Sequence, residues 1–198
     1  MADNPSKALL MLDFINEIVD PKGKFAGRGY AAFLENNGTI DRAQQLLTAA
    51  RNEGMLVVHV RVGFSTDYKE HPEGSPLLGA AKQYAALQLG TWATEFHPKL
   101  SPKADETIIT KHRVNAFHGT PLDLILRNAG VRELLMCGVA TDLAVQTAAR
   151  DAHDRDYLVT VVADCCAAES AQDHNNALHL LSKVAAVKPL SELGLKLK

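Results

Sequence analysis

The stretch RELLMCGVATDLAVQTAARDAHDRDYLVTVVADCC, residues 132–166, determines the predicted fold, because it has the pattern of a strand, a helix and a second strand. Residues 132–140 and 157–166 are short apolar runs, as in parallel strands that are covered on both faces. The predicted helix between them covers residues 141–156. Small apolar residues recur along it at the spacing of one helical face, at Val145, Ala148, Ala149 and Ala152. That face can therefore pack closely against a sheet.

The same alternation continues on both sides of this stretch. Further strands are predicted at 7–14, 55–62, 106–112 and 184–190, the last at a sheet edge, and further helices at 39–54, 121–130 and 171–183. We expect Thr39 or Asp41 to cap the first of these helices. Serial β–α units predict an α/β protein with a three-layer, Rossmann-like fold, in which helices cover both faces of a mostly parallel sheet of about six strands. Residues 1–198 are predicted to form a single domain.

Residues 63–105 lack this regular pattern and contain several prolines and glycines, with one helical turn predicted near GAAKQYAALQ, residues 79–88. An irregular segment of this length in a compact domain is usually a lid or an interface. Aromatic residues are frequent in it: Phe64, Tyr68, Tyr84, Trp92 and Phe96. The segment therefore predicts a homodimer or a larger homo-oligomer.

The composition argues against several kinds of partner. The chain has 198 residues, 46% of them hydrophobic and 22% charged, and its net charge of −2 gives no electrostatic basis for binding nucleic acid. No apolar run is long enough to span a bilayer, so no membrane partner is expected. The first residues lack the pattern of a secretory signal peptide, and three cysteines do not indicate a disulfide framework. We therefore expect a cytoplasmic protein.

Polar residues follow several of the predicted strands, at the edge where open parallel sheets bind their ligands. Asp13, Arg61 and Lys111 lie near the carboxyl ends of the first, second and third predicted strands. The fourth strand leads into residues 140–144 and the fifth into 164–166. An acid, two cations and a helix N-terminus on one rim make a candidate reaction centre, since that end of a helix favours negative charge.

Each of these residues also has a structural interpretation. Asp13 can simply end a strand, and Lys111 can extend from a strand end to water. Arg61 can be a surface or pairing residue, and Thr141 and Asp142 can form a helix cap. Residue types and spacing alone favour these interpretations over a catalytic one.

Three motifs together change that balance. The segments LLMLDFINEI (9–18), IITKHRVNAF (108–117) and GVATDLAVQTAARDA (138–152) closely resemble the isochorismatase-like hydrolase superfamily. This superfamily includes nicotinamidases, carbamoylsarcosine amidase-type enzymes and isochorismatases. The resemblance covers essentially the whole chain, with the motifs in the same order. It implies a hydrolase that acts on a small molecule.

The resemblance also implies roles for individual residues. Asp13 matches the acid/base aspartate of the family, and Lys111 matches its lysine. Val139–Ala140 matches a non-proline cis peptide, which directs the following amides at the substrate. The backbone amides of Ala140 and Ala144 are then expected to form an oxyanion hole.

Further residues are expected at the substrate. Val139 lies at the cis peptide, and Asn16 and Phe117 match positions that line the pocket of the family. Arg61, together with Lys111, is expected to bind substrate carboxylates in an isochorismatase-like reaction.

The chain departs from the family at the position of the nucleophile. The amidase members have a cysteine where this chain has Ala144, and a methyl group cannot attack a substrate. Cys165 or Cys166 lies near the same rim, but neither is favoured as a substitute nucleophile, and Cys137 is expected to be buried inside a strand. The nicotinamidase members bind a metal through Asp-x-His, but Val57 lies two residues before His59. No metal and no other cofactor are therefore expected.

Three functions are compatible with these residues, and the small residues Ala148 and Ala149 on the helix face of Ala144 favour the first of them. The chain can be a hydrolase that works without a covalent cysteine intermediate, with Asp13 as the acid/base and Lys111 assisting. It can be a C–N amidohydrolase whose catalytic cysteine at position 144 was replaced by alanine. It can also be a non-catalytic relative that binds a small molecule. The first requires a raised pKa at Asp13, whereas a neighbouring Lys111 ammonium lowers that pKa.

Overall fold

The computed structural model describes residues 6–197. Its centre is a sheet of six strands in the order β3-β2-β1-β4-β5-β6, and every neighbouring pair is parallel. The strands are β1 (Lys7–Leu12), β2 (Leu56–Val62), β3 (Thr107–Lys111), β4 (Glu133–Val139), β5 (Leu158–Ala167) and β6 (Ala186–Lys188). The predicted parallel sheet is confirmed, with somewhat shorter strands at both ends of the chain.

Helices connect the strands. They are α1 (Asn16–Val19), α2 (Tyr30–Asn37), α3 (Thr39–Asn52), α4 (Leu122–Asn128), α5 (Gln146–Asp154) and α6 (Ala171–Leu181). The connection from β1 to β2 and the connection from β4 to β5 run in opposite directions across the sheet. Right-handed crossovers therefore place α3 and α5 on opposite faces, which gives the predicted three-layer α/β architecture. Within residues 6–197, no helix is long and apolar enough to cross a membrane.

The strand order reverses between β1 and β4, because the chain proceeds from β1 to β2 on one side and from β4 to β5 on the other. A crevice forms at such a reversal, outside the carboxyl ends of the two strands. Asp13 follows β1 and Ala140 follows β4. Both residues therefore lie at the position where this fold class binds its ligands.

The two central strands approach closely at Gly138, next to this crevice. Gly138 has a φ of +152°, and a Cβ atom placed on it would lie 2.3 Å from the backbone oxygen of Leu12. Only glycine tolerates both the backbone conformation and the missing space. The close contact of β1 and β4 beside the site therefore depends on this residue.

The prediction that Thr39 or Asp41 caps α3 is wrong. Gly38 is the N-terminal cap, with a φ of +59°, and no side chain caps the helix. Gly38 also ends α2, a helix that the sequence pattern did not indicate. Because one left-handed glycine joins the two helices directly, no extended residue precedes α3 to present a capping side chain.

The predicted helix over 141–156 begins as a π-helical turn, Thr141–Val145, and continues as α5. The cap expected from Thr141 and Asp142 is absent, because the residue at the cap position is Ala140, which makes no side-chain cap hydrogen bond. Of the expected helical turn at 79–88, the structure has a single turn, closed by the bond from the Tyr84 amide to the Ala80 carbonyl at 3.2 Å.

Part of the irregular segment folds as a closed loop, which we call the cover segment (residues 64–88). Its ends meet where the Phe64 amide donates to the Leu87 carbonyl and the Leu89 amide donates to the Phe64 carbonyl, each at 2.8 Å. The apolar side chains of the segment form a cluster separate from the main core, together with Ile15 and Val62. The cover segment therefore packs on the carboxyl edge of the sheet as a unit of its own.

Candidate active site

A buried ion pair lies at the carboxyl edge of the sheet. The Lys111 ammonium nitrogen is 2.7 Å from Oδ2 of Asp13, and both residues are almost completely buried. Oδ1 of Asp13 accepts a hydrogen bond of 2.7 Å from the Val62 amide, and Lys111 also donates to the Val114 carbonyl at 2.6 Å. The structure therefore brings together the two residues that the sequence placed at the ends of separate strands, and it fixes both side chains.

Burial has a larger effect on Asp13 than its charged neighbour. Removal from water raises the pKa of the Asp13 carboxyl above its ordinary value, while the Lys111 ammonium and the Val62 amide oppose this shift. The sequence left the two effects unresolved, and the structure indicates that desolvation prevails. A carboxyl group in this state stays protonated to higher pH than an ordinary aspartate, so it can still supply a proton where an ordinary aspartate has already lost its own.

The backbone next to this pair has an unusual shape. The peptide bond between Val139 and Ala140 is cis, as the family resemblance implied. The amides of Leu143 and Val145 both donate to the Ala140 carbonyl, at 3.2 and 3.1 Å. The Ala144 amide between them does not donate to that carbonyl. This arrangement follows from the π-helical turn, whose widened first turn separates Ala144 from the regular helical ladder.

A cavity opens beside the ion pair, and the space it encloses, with its open mouth, is about 470 Å³. Its polar lining residues are Asp13, Tyr30, Lys111 and Arg113. Its other lining residues are small or apolar: Ile18, Phe25, Val62, Leu77, Leu78, Leu87, Val114, Val139, Ala140, Leu143 and Ala144. Five of the expected site residues, Asp13, Lys111, Val139, Ala140 and Ala144, thus line one cavity.

Arg61 does not reach this cavity. Side chains alternate along a strand, and the next residue, Val62, lines the cavity, so Arg61 points to the opposite face of the sheet. There its guanidinium donates to the Thr110 hydroxyl at 3.2 Å and lies 5.8 Å from the ring centre of Phe96. The expectation that Arg61 binds substrate carboxylates is not supported by this geometry.

Asn16 and Phe117 also lie outside the cavity. The Asn16 amide group donates to the Trp92 carbonyl at 3.0 Å, which fixes the loop after β1. The Phe117 ring stacks against Tyr157 at 6.3 Å and lies under the guanidinium of Arg155. Both residues are buried against protein groups, so their contribution is to the structure around the site.

The cysteines are not placed to replace the missing nucleophile. Cys165 and Cys166 are fully buried, and the Cys166 thiol donates to the Val162 carbonyl at 3.3 Å. Burial raises the pKa of Cys166 to about 12, so its thiolate form is scarce. Cys137 is buried in β4 as expected. The interpretation of Cys165 or Cys166 as the nucleophile is therefore wrong.

His59 is held within a structural network. Its Nε2 lies 2.9 Å from a carboxylate oxygen of Glu106, and the same carboxylate pairs with Arg51 at 2.7 Å. Burial lowers the pKa of His59, although the carboxylate opposes this effect. Across residues 6–197, no group of three or more His, Cys, Asp or Glu side chains is arranged to hold a metal ion.

Sequence reasoning missed two polar residues of the cavity, Tyr30 and Arg113. Arg113 is part of the segment quoted for Lys111, and its position two residues further on was the available signal. Tyr30 lies in a stretch without a recognisable helical pattern. Its hydroxyl donates to Glu169 at 3.1 Å, and Glu169 pairs with Arg28 at 2.7 Å. Burial and the Glu169 carboxylate both raise the pKa of Tyr30.

The fold and the site define a three-layer α/β protein with a candidate reaction centre at the reversal of strand order. The family described as "Isochorismatase domain" matches residues 7–190 of the chain. The chain therefore belongs to the isochorismatase family and is a hydrolase.

Similar proteins agree with this assignment. The isochorismatase family protein YecD of Escherichia coli O157:H7 is 32% identical over 191 residues, which cover 94% of this chain and 93% of that protein. The ureidoacrylate amidohydrolase RutB of Methylorubrum extorquens is 30% identical over 167 residues, which cover 74% of this chain and 66% of that enzyme. The crystal structure of an isochorismatase family protein from Desulfovibrio vulgaris matches with a TM-score of 0.86 and 28% identity, over 96% of this chain and 97% of that one.

Proposed function

We propose that this hydrolase acts on a small molecule by acid–base chemistry at Asp13, without a covalent cysteine intermediate. One observation carries the proposal: the buried Asp13–Lys111 pair is complete, while the position facing it at the start of the helix is Ala144. Within residues 6–197, no thiol lines the cavity, and all three cysteines are buried elsewhere. Acid–base groups are present and a sulfur nucleophile is not.

An enol ether is the substrate type that best fits an acid without a nucleophile. Protonated Asp13 donates its proton to the enol-ether carbon, and the resulting oxocarbenium carbon is attacked by water. The hemiketal that forms then releases an alcohol and a ketone, and a proton returns to the Asp13 carboxylate. Lys111 stabilises that carboxylate during the reaction, because its ammonium group is fixed against it at 2.7 Å. Protonation of the carbon puts positive charge on the substrate, so the amides of Ala140 and Ala144 are proposed to act later, on the oxygen of the alcohol that leaves the hemiketal.

Amide hydrolysis is the second candidate. The relative RutB is named an amidohydrolase, and Ala144 occupies the first turn of a helix, where a cysteine would be activated. In this case an alanine has replaced the catalytic cysteine, and the native chemistry passes through a thioester. The variant Ala144→Cys tests this candidate, since it places a thiol beside Lys111 and beside the backbone amide of position 144. A third candidate, a non-catalytic small-molecule-binding protein, predicts ligand binding with no turnover of any kind.

A screen for turnover combined with intact-protein mass spectrometry separates these candidates. The chain and Ala144→Cys are incubated with panels of enol ethers, amides and ureas, and each protein is weighed during turnover. We expect the unchanged chain to hydrolyse an enol ether without forming a covalent adduct, so that the mass of the protein stays the same. Turnover of amides by Ala144→Cys alone, with an acyl adduct on the protein, would support the amidohydrolase instead. Ligand-induced stabilisation with no turnover would support the binding protein.

The location and assembly of the chain are also proposals. We propose a single-domain cytoplasmic protein, in agreement with three free, buried cysteines that form no disulfide. We further propose that it is a homodimer or a larger homo-oligomer. Tyr84 and Trp92 support this assembly, because 62% and 42% of their surfaces are exposed on the irregular segment.

A further inference from the structure

The positive and negative charges on the side chains that line the cavity are unequal in number. Asp13 and Lys111 lie 2.7 Å apart and compensate each other. Arg113 is the third charged residue of the lining, and it is exposed, so it lies at the mouth of the cavity. In the described part of the chain, its hydrogen bonds go to two backbone carbonyls and none goes to a carboxylate. The cavity therefore carries one unmatched positive charge.

Two hydrogen bonds hold the Arg113 guanidinium in place. Its Nη1 donates to the carbonyls of Glu70 and His112, at 2.7 and 2.6 Å. Both bonds use the same nitrogen, so the edge formed by Nε and Nη2 remains for a ligand. A guanidinium edge of this kind matches the two oxygens of a carboxylate.

The other cations near the cavity, Lys24, Arg28 and Arg61, are not among the residues that line it. Arg28 pairs with Glu169 at 2.7 Å. The Lys24 ammonium donates to the carbonyls of Tyr84 and Ala85, at 2.7 and 2.9 Å. Arg61 faces the opposite side of the sheet. Arg113 is thus the cation best placed to meet a charge brought by the substrate.

We propose that the substrate is a small monoanion whose carboxylate is bound by Arg113 at the cavity mouth; this inference builds on the proposed function. The body of the substrate is mostly apolar, because it lies against Leu77, Leu78 and Leu87 of the cover segment. Its reacting end reaches Asp13 and Lys111. Arg113 also donates to the Glu70 carbonyl of the cover segment. The same side chain therefore contacts both the proposed substrate carboxylate and the wall of the cavity.

Binding of matched carboxylates and carboxamides tests this inference. The probes are benzoate with benzamide, crotonate with crotonamide, and cinnamate with cinnamamide, measured by calorimetry on the unchanged chain. We expect at least one carboxylate to bind about tenfold or more tightly than its amide, which is ~1.4 kcal/mol. In Arg113→Gln this ratio is expected to fall to near one, while binding of the amide stays the same. Glutamine can still donate to the Glu70 carbonyl, so the cavity wall is retained.

Two further variants serve as controls. Arg150→Gln removes an exposed arginine of α5 and should keep the full carboxylate preference. Arg113→Lys keeps the positive charge but loses the pair of N–H groups that can bind both oxygens of a carboxylate, so it should keep part of the preference for carboxylates over amides. Equal binding of acid and amide by the unchanged chain, no binding of any carboxylate at millimolar concentration, or an unchanged preference in Arg113→Gln overturns the inference. Because binding is measured without turnover, the inference about Arg113 can fail while the mass-spectrometric result for the proposed function still holds.

Discussion

At the scale of single residues, the proposed chemistry depends on one carboxyl group, that of Asp13, and on its environment. Asp13 is buried, accepts a hydrogen bond from the Val62 amide and touches the Lys111 ammonium. Burial raises its pKa, and the ammonium is the largest opposing influence. The proton of Asp13 is therefore available for catalysis below this raised pKa and is lost as the pH rises through it.

Replacing Lys111 by methionine is expected to shift the pH dependence of activity. Without the ammonium, the pKa of Asp13 rises further, so its protonated form persists to higher pH. The falling limb of kcat/KM should move to higher pH in K111M. The maximum rate should drop, because the Asp13 carboxylate loses its partner. The control K183M, at an exposed position outside the site, should leave the profile unchanged. A limb that stays in place or moves to lower pH would show that Asp13 is not the titrating group.

At the scale of elements, the site depends on how closely β1 and β4 approach. Asp13 directly follows β1, and the cis peptide directly follows Gly138 in β4. At Gly138 the space for a side chain is occupied by the backbone of Leu12. The distance between these two strands therefore sets the distance between Asp13, the proposed acid, and the amides of Ala140 and Ala144, the proposed oxyanion hole.

The substitution Gly138→Ala is expected to destabilise the fold by about 3 kcal/mol or more, because a Cβ there meets the Leu12 oxygen as well as an unfavourable φ. Gly54→Ala is the matched control, since Gly54 has a φ of +67° with no atom near a new Cβ. It should cost only about 1 kcal/mol. Urea unfolding of both variants measures the difference. Equal losses of stability would mean that the close contact at Gly138 is unimportant.

The cover segment is attached to the sheet layer by another buried carboxylate. Oε1 of Glu17 accepts from the Lys24 amide at 2.8 Å, and Oε2 accepts from the Leu87 amide at 3.1 Å. In Glu17→Gln one of these amides faces an NH₂ group, which costs about 1 kcal/mol or more. We expect faster hydrogen exchange of residues 64–88 and unchanged exchange in β1 and β4. The exposed Glu73→Gln should change neither, and uniform acceleration over the whole chain would indicate a general loss of stability instead.

At the scale of the whole molecule, sequence and structure agree where the pattern is periodic. Apolar runs and helical spacing predicted the parallel sheet, and strand ends located Asp13 and Lys111. The position of Arg61 near a strand end did not reveal which face of the sheet its side chain takes, because neighbouring residues of a strand point to opposite faces. Leu77 and Leu78 of the cavity could not be predicted, since they come from a segment whose path is set by tertiary contacts.

Assembly is the other property of the whole molecule. The exposed rings of Tyr84 and Trp92 lie on the irregular segment beside the site. We expect the chain to sediment as a dimer or a larger oligomer at micromolar concentration, and the variant Trp92→Ser to dissociate more readily. A monomer at that concentration would contradict the assembly while leaving the chemistry of the site unaffected.

Asp13 is proposed to supply the proton for hydrolysis. The most direct measurement is the turnover rate of Asp13→Asn on whichever enol ether the unchanged chain hydrolyses. Asparagine keeps an oxygen for the Val62 amide, and thermal unfolding verifies that the variant is folded. We predict that turnover falls by roughly 10²- to 10⁴-fold, the usual contribution of general acid–base catalysis. Turnover by Asp13→Asn at the rate of the unchanged chain would contradict the account.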